Sequence, residues 1–280
     1  MIQTVTINQE RYDTRMYCNL VYANAFTNSA TAIPLHFHLI VPRGKPSEKF
    51  PLLIYLGGGG WRVSAPERHL PELAYFASQG FVVASVEYRT TANSRFPSQI
   101  EDVKTAIRFL RKHSEQFHID STRVHIMGGS AGGYLTAMVA LTGGTEAFKG
   151  NEHLECSDEI SSAICLYGIY DFKAYQKAIE DKSDSVLPIK LFLPELSGHM
   201  LEIASPVSYV HKKKIPFLLL HGTNDTMVSC AQSEAFHNAL EREGADVELY
   251  LFEGVGHADA AFSQPATQEI ILKFITKSWR

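Results

Sequence analysis

The 280-residue chain reads as one α/β domain, a mostly parallel central sheet flanked by helices, spanning 1–280 with a small helical insertion. Three observations predict this. From about residue 50 to the end, apolar runs of strand length alternate with amphipathic stretches of helix length, the pattern that parallel strands and crossover helices produce. The runs "FPLLIYLG" and "IPFLLLHG" are apolar throughout, as strands covered on both faces must be. No internal repeat or low-complexity linker divides the chain.

The elements follow in order. "QTVTIN" and "LHFHLIVP" alternate polar and apolar residues, which predicts half-exposed antiparallel strands. "FPLLIYLG" is the first buried strand. In "PERHLPELAYFASQG" an apolar stripe of Leu70, Leu73, Ala74 and Ala77 predicts a helix, with Gly80 as its C-cap. "FVVASVEY" is a strand. "SQIEDVKTAIRFLRKHSEQF" sets Ile100, Val103, Ile107 and Leu110 on one helical face. "RVHIMG" is a strand and "AGGYLTAMVALTG" a helix. "ISSAICLYG" and "IPFLLLHG" are buried strands, "SCAQSEAFHNALEREG" a helix, "DVELYLFEG" a strand and "ATQEIILKFITKSW" the closing helix. Residues 172–206 interrupt the alternation and are too long for one crossover helix. They read as a small helical cap over the carboxyl edge of the sheet, where open α/β sheets bind ligands.

Composition narrows the function. Lys and Arg total 26 against 30 Asp and Glu, for a formal net charge of -4. No basic face is implied, which argues against nucleic acid as a partner. Cys18, Cys156, Cys165 and Cys230 are scattered without metal-ligand spacing, as free thiols in a reducing compartment would be. The N-terminal stretch carries no apolar signal core, so secretion is not expected. The longest apolar runs are too short to cross a membrane. The cytoplasm is the expected location, with no membrane partner and no metal or organic cofactor.

The chemistry gathers around "RVHIMGGSAGGYLTA", residues 123–137. Gly128-Gly129-Ser130-Ala131-Gly132 fits G-x-S-x-G, with a strand before it and a helix after it. In that setting the motif is a nucleophile elbow, a strained turn that lifts the serine Oγ above the sheet edge. A serine hydroxyl needs a base to become nucleophilic, and the base needs an orienting acid. Asp225 lies in the polar loop after "IPFLLLHG", and His257 in the loop after "ELYLFEG". Both loops end strands at the elbow's edge, and the chain order serine, aspartate, histidine is that of α/β-hydrolases. Asp171 also follows a strand and is an alternative acid or an entrance residue. Asp259 is only two residues from His257, too near to orient its ring. His221, at a strand end, reads as a packed structural histidine.

A second glycine cluster, "YLGGGGW", follows the first buried strand. Fixed backbone amides stabilise the oxyanion of an acyl-transfer intermediate. Ala131, directly after the nucleophile, would supply one amide, and Gly58 or Gly59 the other. Trp61 and Tyr134 either line the substrate pocket or belong to the aromatic core.

Together, "PLLIYLGGGGW", "GFVVASVEYR", "FPSQIEDVKTAIRFLRKH", "IDSTRVHIMGGSAGGYL", "SPVSYV", "IPFLLLHGTNDTMV" and "GVGHADAAF" resemble the α/β-hydrolase serine esterases with an H-G-G-G-W loop. That group includes hormone-sensitive-lipase-like carboxylesterases and acetyl-xylan and feruloyl esterase-like proteins. The resemblance runs from about residue 34 to the C-terminus. It implies hydrolysis of carboxylic esters, often with short acyl groups on sugars or other alcohols. One position departs: the group's loop histidine is Gly57 here. The leading expectation is a serine carboxylesterase for acetyl to butyryl esters of small molecules. An amide hydrolase, such as an arylformamidase or small peptidase, fits the same residues. A non-catalytic binding protein on this scaffold ranks below both, because serine, aspartate and histidine are all present.

Overall fold

The computed structural model describes residues 3–277 except positions 7, 9, 180–182 and 212. Among the described residues eight strands form one sheet: β1 (Thr14–Phe26), β2 (Ala32–Pro42), β3 (Phe50–Leu56), β4 (Val82–Val86), β5 (Ile119–Gly129), β6 (Ser162–Leu166), β7 (Phe217–Gly222) and β8 (Val247–Phe252). Their spatial order is β1-β2-β4-β3-β5-β6-β7-β8. β1 pairs antiparallel with β2, and β2 antiparallel with β4. From β4 across to β8 every pairing is parallel. The apolar runs that predicted two-sided burial behave accordingly: every residue of β3, β4, β6 and β7 is buried.

Helices cover both faces. α1 (Leu70–Ser78) and α8 (Pro265–Lys277) close one face with Leu73, Phe76, Ile271, Phe274 and Ile275. α2 (Ser98–Lys112), α3 (Ala131–Thr142) and α7 (Ala231–Arg242) close the other with Ile100, Val103, Leu135, Met138 and Phe236. Lys104 and Arg108 of α2 are buried too. The Lys104 ammonium donates to the carbonyls of Thr142 (2.8 Å) and Ala147 (2.6 Å). Arg108 Nη1 lies 3.0 Å from Asp158 Oδ2, so these charges clamp the chain that follows α3.

The first expected strand is misplaced. Residues 3–6 and 8 carry no strand, and position 7 lies outside the described residues. The outermost strand is β1 instead. Register shifts between Tyr17 and Leu20 and between Val21 and Ala23 interrupt its pairing, and such bulges scramble a period-two pattern. Met16, Val21 and Phe26 are exposed on it, so its polarity pattern does not report which face is inside.

The 172–206 segment forms α4 (Phe172–Ala178), α5 (Ser183–Phe192) and α6 (Gly198–Ala204), with positions 180–182 outside the described residues. No described helix is long and apolar enough to cross a membrane. Among the described residues, no group of metal-ligating side chains gathers.

Candidate active site

Ser130 stands at the junction of β5 and α3 with φ 55° and ψ -118°, a conformation that exposes its side chain above the sheet edge. Its amide donates to the Leu166 carbonyl at 2.9 Å, which pins the turn to β6. The surrounding glycines are required by close backbone approach. A Cβ on Gly132 would meet the Leu56 carbonyl at 2.0 Å, and one on Gly128 would meet the Gly132 carbonyl at 2.4 Å. Gly132→Ala is therefore expected to cost about 2 kcal/mol, as overpacking does. Gly198→Ala, where no atom lies within 4 Å of the added Cβ, should be near neutral. Urea unfolding of both variants checks this; equal stability would remove the close-packing account of the turn.

The loop after β8 delivers His257 and the loop after β7 delivers Asp225. His257 Nε2 lies 2.9 Å from Ser130 Oγ, and His257 Nδ1 lies 2.7 Å from Asp225 Oδ2. A carboxylate accepts only, so the Nδ1–H donates to Asp225 and Nε2 is left to accept the serine proton. Asp225 Oδ1 accepts from the amides of Met227 (2.9 Å) and Val228 (2.8 Å). The fully buried His221 places Nε2 2.9 Å from the Val228 carbonyl and 3.2 Å from Asp225 Oδ2. Its Nδ1 faces the Ser233 hydroxyl at 2.7 Å. Burial pushes the Asp225 carboxyl up, but hydrogen bonds from His221, His257 and the Val228 amide outweigh it and hold it well below the usual carboxylate range.

Asp171 is elsewhere: it caps α4, its carboxylate accepting from the Ala174 amide at 3.0 Å. Asp259 accepts from the Ala261 amide at 2.9 Å. His221, expected to be only structural, touches the acid itself. No sequence signal distinguishes that contact from ordinary packing.

The glycine loop leans over the serine. A Cβ on Gly58 would stand 3.1 Å from Ser130 Cβ. Among the described residues, no protein group accepts from the amides of Gly58, Gly59 or Ala131. At Gly57, the position of the missing histidine, the buried Tyr88 hydroxyl donates to the backbone carbonyl at 2.7 Å. The loop is thus held by a tyrosine from the strand end beside it.

A family model, BD-FAE, matches residues 38–240. The chain belongs to the BD-FAE family. Esterase LipQ of Mycobacterium tuberculosis is 31% identical over 230 residues, covering 79% of this chain and 52% of LipQ. Isoprenylcysteine alpha-carbonyl methylesterase ICME of Arabidopsis thaliana is 25% identical over 224 residues, covering 77% of this chain and 52% of its own. The chain spans about half the length of these relatives. Among solved structures, a truncated carbohydrate esterase from gut microbiota superposes with TM-score 0.81 at 21% identity, covering 95% of this chain and 96% of that one. The propionate-bound esterase of Thermogutta terrifontis gives 0.75 at 22% identity, covering 97% and 96%. The fold is the α/β-hydrolase fold.

In this BD-FAE chain, Trp61 and Tyr134 do not line the cavity that holds Ser130 and His257. Both are buried. Trp61 stacks on Phe192 of α5 (ring centroids 4.2 Å apart, planes 10° apart) and meets Tyr134 edge-on at 5.4 Å. Phe172 completes the cluster. These aromatics join the glycine loop and α3 to the 172–206 segment. Of the two readings the sequence offers, pocket lining or aromatic core, the core reading fits, because the cavity lies on the opposite face of the sheet, toward α1 and α8.

That cavity measures about 850 Å³, within the range of ligand sites. Its apolar lining includes Tyr55, Leu73, Phe76, Met127, Leu166 and Ile271, and its polar lining Arg68, Glu72, Gln264 and Gln268. Tyr167 lines the cavity too. It has φ 40°, rare for a non-glycine residue, and its ring packs edge-on against His257 at 4.9 Å. Sequence reading passed over Tyr167. The only hint was its place immediately after a buried strand at the elbow's edge.

Proposed function

We propose that this chain is a serine carboxylesterase acting on small-molecule esters. The carrying observation is the hydrogen-bonded chain Ser130–His257–Asp225 at a positive-φ serine. Ser130 Oγ attacks the ester carbonyl as His257 Nε2 takes its proton. The Asp225 carboxylate holds the ring and stabilises the imidazolium. The amides of Ala131 and of Gly58 or Gly59 receive the oxyanion. Collapse expels the alcohol, which takes the proton from His257. Water, activated by the same nitrogen, then releases the acid and frees Ser130.

A fluorophosphonate probe tests this directly. Its covalent adduct is expected on Ser130 by peptide mass spectrometry, with parallel loss of p-nitrophenyl butyrate hydrolysis. A labelled residue other than Ser130 would sink the assignment.

The proposed acyl range is acetyl to butyryl. A methylene gains about 0.8 kcal/mol only against an apolar wall. Leu73, Phe76 and Leu166 supply such a wall, but Arg68, Glu72 and Gln268 line the same cavity and shorten its apolar stretch. The Thermogutta terrifontis esterase of this fold has been solved with propionate and with butyrate bound. In a series of p-nitrophenyl esters, kcat/KM should peak at four carbons or fewer, by this wall-length argument. A maximum at decanoate would overturn it. The cytoplasm is the proposed location, in line with four unpaired cysteines.

A further inference from the structure

Buried tyrosine hydroxyls normally find a partner, and most here do. Tyr22 donates to the Glu87 carbonyl at 2.7 Å and Tyr88 to the Gly57 carbonyl at 2.7 Å. Tyr170 accepts from the Gly168 amide at 3.2 Å. Among the described residues the Tyr134 hydroxyl has no partner, but it is sealed in the aromatic cluster away from the cavity. Tyr55 and Tyr167 differ from all of these. They are only 6% and 7% exposed, both line the Ser130 cavity, and neither hydroxyl bonds to a described residue.

Their placement brackets the nucleophile. Tyr55 is the penultimate residue of β3 and Tyr167 follows β6, the strands on either side of β5, which leads into Ser130. A Cβ at Gly129 would stand 2.6 Å from the Tyr167 hydroxyl, so that oxygen occupies the space beside the residue preceding Ser130. The strained backbone of Tyr167 is held by its amide's bond to the Leu220 carbonyl at 2.8 Å. Strain of this kind persists where surrounding structure enforces it, and it clusters at functional sites.

We propose that the Tyr55 and Tyr167 hydroxyls form a hydrogen-bonding pair that selects esters carrying a second, neutral oxygen, a hydroxyl or carbonyl, next to the scissile ester. This rests on the esterase reading above. Neutrality follows from the surroundings. Burial pushes the Tyr167 phenol up to about 12 and the Tyr55 phenol well above its usual value, so both stay protonated. They share the cavity with Leu73, Phe76, Met127 and Leu166, where a neutral oxygen is desolvated at far lower cost than a charged group. A simple alkyl ester leaves both hydroxyls unpaired on binding; an oxygenated one satisfies them.

The test uses two matched pairs: ethyl β-hydroxybutyrate against ethyl butyrate, and ethylene glycol monobutyrate against propyl butyrate. The wild-type ratio of kcat/KM should favour the oxygenated member of at least one pair by about tenfold, the value of one net hydrogen bond. The pair that responds tells whether the oxygen belongs to the acyl or the alcohol side. Tyr55→Phe and Tyr167→Phe should each lower that ratio, and the double variant should bring it to about one. The ratio does not depend on the amount of active enzyme, so partial misfolding does not mask the result. A wild-type ratio near one in both pairs, or a preference that survives in the double variant, overturns the proposal while the esterase reading stands. Failure to hydrolyse any of the four esters removes the esterase reading and this proposal with it.

Discussion

Replacing Ser130 by alanine is expected to lower kcat for p-nitrophenyl butyrate by about 10⁶, because serine and base act as one unit and losing either removes the covalent route. The fold should survive. Among the described residues the Ser130 side chain makes a single hydrogen bond, to His257, and its backbone is held independently by the Leu166 carbonyl and by the Tyr134 amide, which donates to the Ser130 carbonyl at 3.0 Å. Alanine tolerates φ 55° no worse than serine does. The melting temperature should therefore stay near that of the wild type while activity disappears. A purified Ser130→Ala protein that keeps a tenth of wild-type activity would show that the elbow serine is not the nucleophile.

Asp225→Asn is the second large effect, with kcat expected to fall by about 10⁴, as when a buried orienting acid is lost and the imidazole takes the wrong tautomer. Four donors converge on this carboxylate: His257 and His221 on Oδ2, and the Met227 and Val228 amides on Oδ1. An amide has one accepting oxygen. If that oxygen takes the two backbone amides, the NH₂ faces His257 Nδ1 and forces its proton onto Nε2. The ring then cannot accept from Ser130. The opposite flip sets the NH₂ against two backbone N–H groups, which costs stability. The depressed carboxyl also stabilises the fold at neutral pH, a contribution lost as pH falls through its low folded value. Asp171→Asn should change kcat by less than about twofold, since asparagine caps a helix as well as aspartate does. Steady-state kinetics of both variants decides the matter, and comparable losses would reopen the identity of the acid.

Much of the site was legible because its parts are local. A glycine-rich strand-to-helix turn, a glycine loop after a buried strand, and polar loops after two later strands each leave a mark within a few residues. Their chain order then suggested that they meet. The parallel sheet was legible for a similar reason, since two-sided burial demands unbroken apolar runs in β3 and β7. The edge strand β1 was not, because its bulges and its exposed apolar residues remove the alternation that a one-sided strand would display.

The sequence by itself determined the α/β class, the nucleophile turn and the candidates Ser130, Asp225 and His257, since each depends on short-range chemistry. Only the tertiary structure decided which aromatics reach the cavity. Trp61 and Tyr134 sit beside the key loops in sequence, yet they belong to the cluster on the α3 face; Tyr55, in β3, and Tyr167, just after β6, line the serine's cavity from the other side. The reason is the pleat and the packing of layers. Within β3 the pleat turns Tyr55 toward α1 and α8 and its neighbour Leu56 to the other face, and which face holds the cavity depends on where α1 and α8 leave space, a long-range outcome that no local pattern encodes.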